Sequence, residues 1–400
     1  MMLEDVALFV SLLMIGYLVY TLDRNKQAFP APPVLVLIGL LLSFLPFYSE
    51  VPITASFIYH ILLPALLFVG AYRFPVQQFF RYRRFILLLS TAGIVAAVFL
   101  TAAAFFAVSL PFMTISFIAA LLIAAVLIPT DPVSVIEILS SDLDDELVTS
   151  VVEGESMIND GTSIVVFSLV FSWYVQSPPT FLEGTSQLLV TSLGGTAIGA
   201  AFGWLFSLAL HYTHERSYQI MLSIIIAYAS FIAAEAVHAS GVLAVVTAGL
   251  FLSHRIKASS RESHLRESLD GFWEIIELSI LSLLFLLIGI AAGPSLWNSY
   301  WHVIILFFLF MVVLRWIVVE LIMRATPSIH KPTFSERFLV SISGVKGAVS
   351  VYLILTIQES AADQAELIAA VAFSVVFLSL LLQSLAIHPA ARFIRFLGRS

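Results

Sequence analysis

Thirteen apolar runs separated by short connections constrain this chain more than any other feature. They lie at 6–22, 32–47, 53–72, 85–110, 115–139, 148–175, 188–210, 220–237, 241–253, 275–292, 303–323, 338–357 and 367–387. Most reach the roughly 17–25 residues that a helix needs to cross a bilayer. The run at 241–253 is shorter and reads as tilted or partly interfacial. A soluble domain has about 25% charged residues, whereas this chain has 11% charged and 60% hydrophobic residues, too few polar groups to cover an aqueous surface. Inside lipid only helices and closed barrels satisfy their own backbone. The runs are continuous, not alternating, which excludes a barrel. The expected fold is therefore an all-α polytopic membrane protein with thirteen transmembrane helices. The chain has no cysteine, which excludes disulfides and thiolate metal sites. No lysine or arginine precedes the first run, so it reads as a span and not as a secretion signal.

Basic residues set the orientation. Of the 19 lysines and arginines, 17 fall after odd-numbered spans, among them Arg24 and Lys26, the group Arg73 to Arg84, Arg255 to Arg266, and Arg392 to Arg399. None lies before span 1 or after an even-numbered span. An error in the span count would scramble this segregation. The expected placement is the cell (inner) membrane, with the N-terminus outside and the C-terminus cytoplasmic. Spans 1–6 and 8–13 then have opposite topology, the inverted six-helix repeat of many secondary transporters.

Two basic residues remain, Arg315 and Lys346, and both lie inside spans. Intramembrane charges are costly and usually functional. Span 5 contains Ile128-Pro129-Thr130-Asp131-Pro132. The two prolines have no N–H, so the carbonyls of Ala125 and Ile128 lose their helical donors. Freed oxygens beside a carboxylate suit a hard cation; the plainer reading is a kink with Asp131 reaching for the interface. Span 6 contains Gly154-Glu155-Ser156-Met157-Ile158-Asn159-Asp160-Gly161. Glu155 and Asn159 are four apart, as are Ser156 and Asp160, so each pair lies along one helix face. Span 12 contains Gly344-Val345-Lys346-Gly347 at the repeat position equivalent to span 5. Interruptions at equivalent positions point to a binding site, although Lys346 also reads as a charge that only neutralises a carboxylate. Asp131, Glu155, Asp160, Arg315 and Lys346 all lie roughly 10–18 Å from the cytoplasmic ends of their spans, so they are expected to meet. Glu153 and Glu320 lie nearer span ends and read as interfacial, and Glu235 and His238, near the outer end of span 8, read as interfacial or as lining an outer funnel. The acidic run Asp142 to Glu146 reads equally as a solvated loop or as a surface that attracts cations, and His211 and His214 read as a solvated loop before a pH sensor or metal site.

Taken together, Pro-Thr-Asp-Pro in span 5, Glu-Ser-x-x-Asn-Asp-Gly in span 6, the arginine in span 11 and Gly-x-(basic)-Gly-Ala-Val-Ser in span 12 resemble the monovalent cation:proton antiporters of the NhaP and eukaryotic sodium/proton exchanger branch. The resemblance covers essentially the whole chain. It implies that Asp160 binds cation and proton in turn. It implies Ser156 and the Thr130 carbonyl as cation ligands, with Asp131 and Glu155 assisting through water. It places Asn159 where electrogenic relatives have an aspartate. Arg315 becomes the partner of Glu155, and Lys346 replaces the usual arginine. A moving core of helices 4–6 (85–175) and 11–13 (299–400) would pair with a dimer scaffold of helices 1–3 (1–84) and 7–10 (176–298). Expected partners are a monovalent cation (Na⁺ first, Li⁺ or K⁺ otherwise), H⁺, membrane lipid and a second copy of the chain, with no cofactor and no nucleic acid. Leaving water favours the neutral form of any carboxyl group, so proton and cation compete for one site. The alternative is a cation channel. No His-Glu-x-x-His helix or other protease signature supports an intramembrane enzyme.

Overall fold

The apolar runs fold as helices. The computed structural model describes residues 2–26, 31–49, 53–132, 135–136, 145–175, 180–212, 215–258, 263–328, 331–360 and 362–397, and among them there is no strand. Helices α1 (Met2–Lys26), α2 (Ala31–Leu42), α3 (Ala55–Arg73) and α4 (Val76–Ser109) are followed by α5 (Phe117–Leu127), which is short. Then come α6 (Glu146–Val175), α7 (Phe181–Tyr212), α8 (Arg216–Ala236), α9 (Gly241–Ala258), α10 (Ser263–Ser295) and α11 (Trp301–Ala325). Two short helices, α12 (Phe334–Ile342) and α13 (Ala348–Gln358), precede α14, which starts as Ala365–Leu378 and runs on through a π-turn to Leu397. Eight segments are long and apolar enough to cross a membrane, and five shorter apolar helices accompany them. The chain is thus a multi-pass membrane protein. Helix α9 continues past the short apolar run to Ala258, with His254 and Arg255 in its last turns.

Burial follows from what each helix meets. Phe68, Phe105, Phe285, Phe307 and Phe373 are fully buried between helices. Leu182, Leu189, Val190 and Leu193 of α7 are exposed, as a lipid-facing surface requires. Lipid tails are as apolar as leucine, so helices associate through close packing of small residues. Gly39 of α2 and Gly289 of α10 show this: a Cβ on either would run into the other helix's backbone.

The interruptions position the site. Pro129 has no N–H, so α5 ends at Leu127 with Ile128 as its C-cap, and residues 129–131 are non-helical. Helix α12 ends at Ile342 and α13 begins at Ala348, with residues 344–347 non-helical between them. The two non-helical stretches meet, and the Asp131 N–H donates to the Val345 carbonyl at 2.8 Å. A π-turn at Ser379–Gln383 in α14 supports the crossing: Ser379 Oγ accepts the Lys346 N–H at 3.0 Å and donates to Gln383 Oε1.

One charge lies elsewhere than expected. Glu320 does not reach for the interface. It accepts from Arg337 at 2.6 Å and is paired with Arg324 at 2.7 Å, and Arg337 itself is buried. Arg337 is in the first turn of α12, which packs against α11, so the pair forms at the helix contact. His214 and the side chain of His211 lie outside the described residues, as do Asp142 and Asp144.

Candidate functional site

Two helix ends meet two charges at the crossing. The Asp131 side chain rests against the backbone at Gly347, the N-cap of α13; a Cβ there would overlap it. The positive end of the helix dipole favours a carboxylate at that point. Opposite it, Lys346 Nζ donates to the Ile128 carbonyl at 3.3 Å, at the C-terminal end of α5, where a cation is favoured. The carbonyl that Pro132 leaves without a helical donor is thus met by Lys346. Asn159 supports the same loop: its Nδ2 donates to Thr130 Oγ1 at 3.3 Å and reaches Ile128 O at 3.5 Å, while its Oδ1 accepts from Ser163.

Helix α6 divides the polar residues between two cavities. One is lined by Thr130, Asp131, Ser156 and Asp160, with Gly347 and Glu277. Its described lining holds three carboxylates and no basic residue. Asp160 is half-buried and near enough to Asp131 to interact electrostatically. No hydrogen bond to its carboxylate is made by the described residues. Ser156 Oγ donates to the Thr130 carbonyl, which brings the two oxygens together. A small cation with oxygen ligands suits such a lining, and no cluster of three or more His, Asp or Glu side chains able to hold a transition metal exists among the described residues.

The other cavity holds Glu155, Asn159, Arg315, Lys346, Thr101 and Gln383. Arg315 grips Glu155 with two parallel bonds, both 3.0 Å. Its Nε donates to the Ser341 carbonyl at 3.2 Å, in the last turn of α12 where carbonyls lack helical partners. Gly344 leaves the space that this guanidinium fills. One arginine therefore ties α6, α11 and α12 together. Of the residues expected to converge, Asp131, Asp160, Ser156 and Thr130 share one side; Glu155, Arg315 and Lys346 share the other. Asn159 lies between them.

Sequence reasoning missed Glu277 of α10, which faces the acidic cavity and pairs with Arg73 of α3. The signal was present: Glu277 falls inside the run 275–292. A set of contacts at the opposite end of α3 was also missed. Tyr59 stacks on Tyr352 of α13 with centroids 4.5 Å apart and donates to Glu235 at 2.8 Å. Glu235 also accepts the Gly241 N–H at 2.9 Å, and Glu359 accepts the Ala55 N–H at 2.8 Å.

Interrupted helices crossing beside buried charges define the chain as a membrane protein of the secondary-transporter class. The comparisons narrow this. A family profile described as "Sodium/hydrogen exchanger, transmembrane" matches residues 9–393, and the chain belongs to that family. The Na⁺/H⁺ antiporter NhaP of Pseudomonas aeruginosa is 32% identical, over 82% of this chain and 79% of its own. The Na⁺/H⁺ antiporter NhaH of Halobacillus dabanensis is 28% identical, over 90% of this chain and 91% of its own. The sodium proton antiporter MjNhaP1 of Methanocaldococcus jannaschii, solved at pH 8, shares the fold with a TM-score of 0.81 at 19% identity, covering 98% of each chain.

Proposed function

We propose that this chain exchanges Na⁺ for H⁺ across the cell membrane, with Asp160 taking each in turn. The observation that carries this reading is the acidic cavity: Asp160 is beside Asp131, Ser156 and the Thr130 carbonyl, at the crossing of two broken helices, in a chain matched along nearly all its length by the exchanger family. Asp160 and Asp131 supply the charge, and Ser156 and Thr130 supply neutral oxygens. Lys346 and Arg315 hold the two halves of the crossing and keep Glu155 paired. Thirteen spans in two inverted six-helix units are supported by the eight long and five shorter apolar helices, one for each apolar run. The N-terminus lies outside and the C-terminus in the cytoplasm, by the placement of the basic residues. The core comprises 85–175 and 299–400, and the scaffold comprises 1–84 and 176–298, through which two copies pair.

The exchange is electroneutral. Asn159 offers no titratable charge, and Arg315 balances Glu155, so only Asp160 changes state. Moving a net charge would couple transport to the potential by about 2.3 kcal/mol per 100 mV. In proteoliposomes clamped at two potentials, the sodium-driven pH end-point should be the same at both. An end-point that shifts with voltage would require a second titrating group and contradict this stoichiometry.

Alternating access requires the Tyr59–Tyr352 contact to part, since it joins the scaffold helix α3 to the core helix α13 and closes the outer side. The chain has no native cysteine, so a Tyr59→Cys/Tyr352→Cys variant offers one defined cross-link. Bridging the pair with a short thiol-reactive linker should stop exchange, and reduction should restore it. Unimpaired exchange in the bridged protein would show that this contact never opens.

A further inference from the structure

Beyond the crossing, the acidic cavity extends between two helices assigned to the scaffold. It passes between Gly70 of α3 and Glu277 of α10. We propose, resting on the exchange reading above, that Glu277 recruits the cation at the cytoplasmic mouth of the cavity that leads to Asp160, held in place by Arg73.

Three observations carry this. Glu277 is a carboxylate lining the same cavity as Asp160 and Asp131, from the opposite wall. Its side chain keeps 21% of its exposure, so it meets both water and the cavity. Arg73, one turn beyond Gly70 on α3, pairs with Glu277 and also donates to the Asp270 carbonyl at 3.3 Å, which fixes the carboxylate at the mouth. Arg73 itself does not line the cavity. The second oxygen of Glu277 is not claimed by any hydrogen bond from the described residues.

Gly70 is an independent sign of a passage. Glycine is a poorer helix former than alanine, yet a Cβ here would meet nothing within 4 Å. Gly39 and Gly289 sit where another helix presses against them, whereas Gly70, like Gly184 and Gly271, meets no neighbour, and of these three only Gly70 lines the acidic cavity. At Gly70 the missing side chain faces open space at the mouth. Carboxylates lining a narrow cleft raise the local cation concentration by roughly tenfold or more, and Glu277 has the position to do this before the ion reaches Asp160.

The test measures sodium-dependent exchange in proteoliposomes, with the cytoplasmic face supplied with Na⁺, for wild type, Glu277→Gln, Glu277→Asp and Arg73→Gln/Glu277→Gln, together with thermal stability. Glu277→Gln should raise the half-saturating Na⁺ concentration by roughly tenfold, with a much smaller change in maximal rate; Glu277→Asp should recover most of the affinity. The Arg73→Gln/Glu277→Gln variant leaves no unpaired charge, so it should recover stability while the half-saturating concentration stays high. Wild-type half-saturation in Glu277→Gln would overturn the proposal. So would recovery of the wild-type value in the double variant, because that would assign Glu277 to holding the scaffold alone. Failure of the exchange reading would look different: wild type would show no sodium-driven proton flux at any concentration.

Discussion

Asp160→Asn is expected to reduce sodium-driven proton flux to the level of protein-free liposomes while leaving a folded protein. Asparagine matches aspartate in size, and no hydrogen bond from the described residues holds the Asp160 carboxylate, so the change breaks no structural contact. It also removes a negative charge from beside Asp131, and like charges at close range oppose one another. Thermal stability should therefore be unchanged or higher. Function falls because an amide neither takes up and releases a proton nor offers a charged oxygen to a cation. Retained flux in a stable variant would remove Asp160 from the mechanism. Lost flux with lost stability would show that the carboxylate also holds the fold, contrary to the geometry here.

The second large effect concerns Glu155 and Arg315. Glu155 is 3% exposed and Arg315 is 18% exposed, so neither has bulk water to fall back on. Removing one partner leaves an uncompensated buried charge, at a cost of roughly 3–5 kcal/mol. Glu155→Ala and Arg315→Ala should each lower thermal stability by that order. Glu155→Ala/Arg315→Ala should lose less than the sum, because it leaves no orphan charge. Arg315 also caps the end of α12 through Ser341, so Arg315→Ala should be the more damaging single change, and part of its loss should persist in the double variant. Strictly additive losses would mean that the two side chains are not coupled. Gly344→Ala tests the same place by crowding: a methyl group there must displace the guanidinium, and stability should fall.

Much of this was legible in the sequence where backbone chemistry leaves a mark. Pro129 and Pro132 declare the break after α5, and Gly344 and Gly347 mark the gap between α12 and α13. Arg315 and Glu155 stand out because charges at mid-membrane depth need partners. The finer division was legible only in part. The four-residue spacings pair Glu155 with Asn159 and Ser156 with Asp160 and turn Glu155 about 140° from Asp160 around α6, but which of these faces meets which neighbouring helix is set by tertiary packing, so matching depth alone suggested one cluster where there are two sides. Glu277 and Arg73 were hidden by their position near span ends, where a charge reads as interfacial. Glu320 and Arg337 were hidden in the same way. Tyr59 and Tyr352 carry no signal at all, since aromatic residues are common throughout a membrane chain and stacking is set by tertiary packing.

The central claim is that one carboxylate, Asp160, exchanges a proton for a sodium ion. The most direct measurement is proton release from purified protein in weakly buffered detergent when Na⁺ is added. Binding a cation at a protonated ligand must expel the proton, so wild type should release about one proton per chain at saturation, and Asp160→Asn should release none. Sodium binding to wild type without proton release, or unchanged release from Asp160→Asn, would contradict the account.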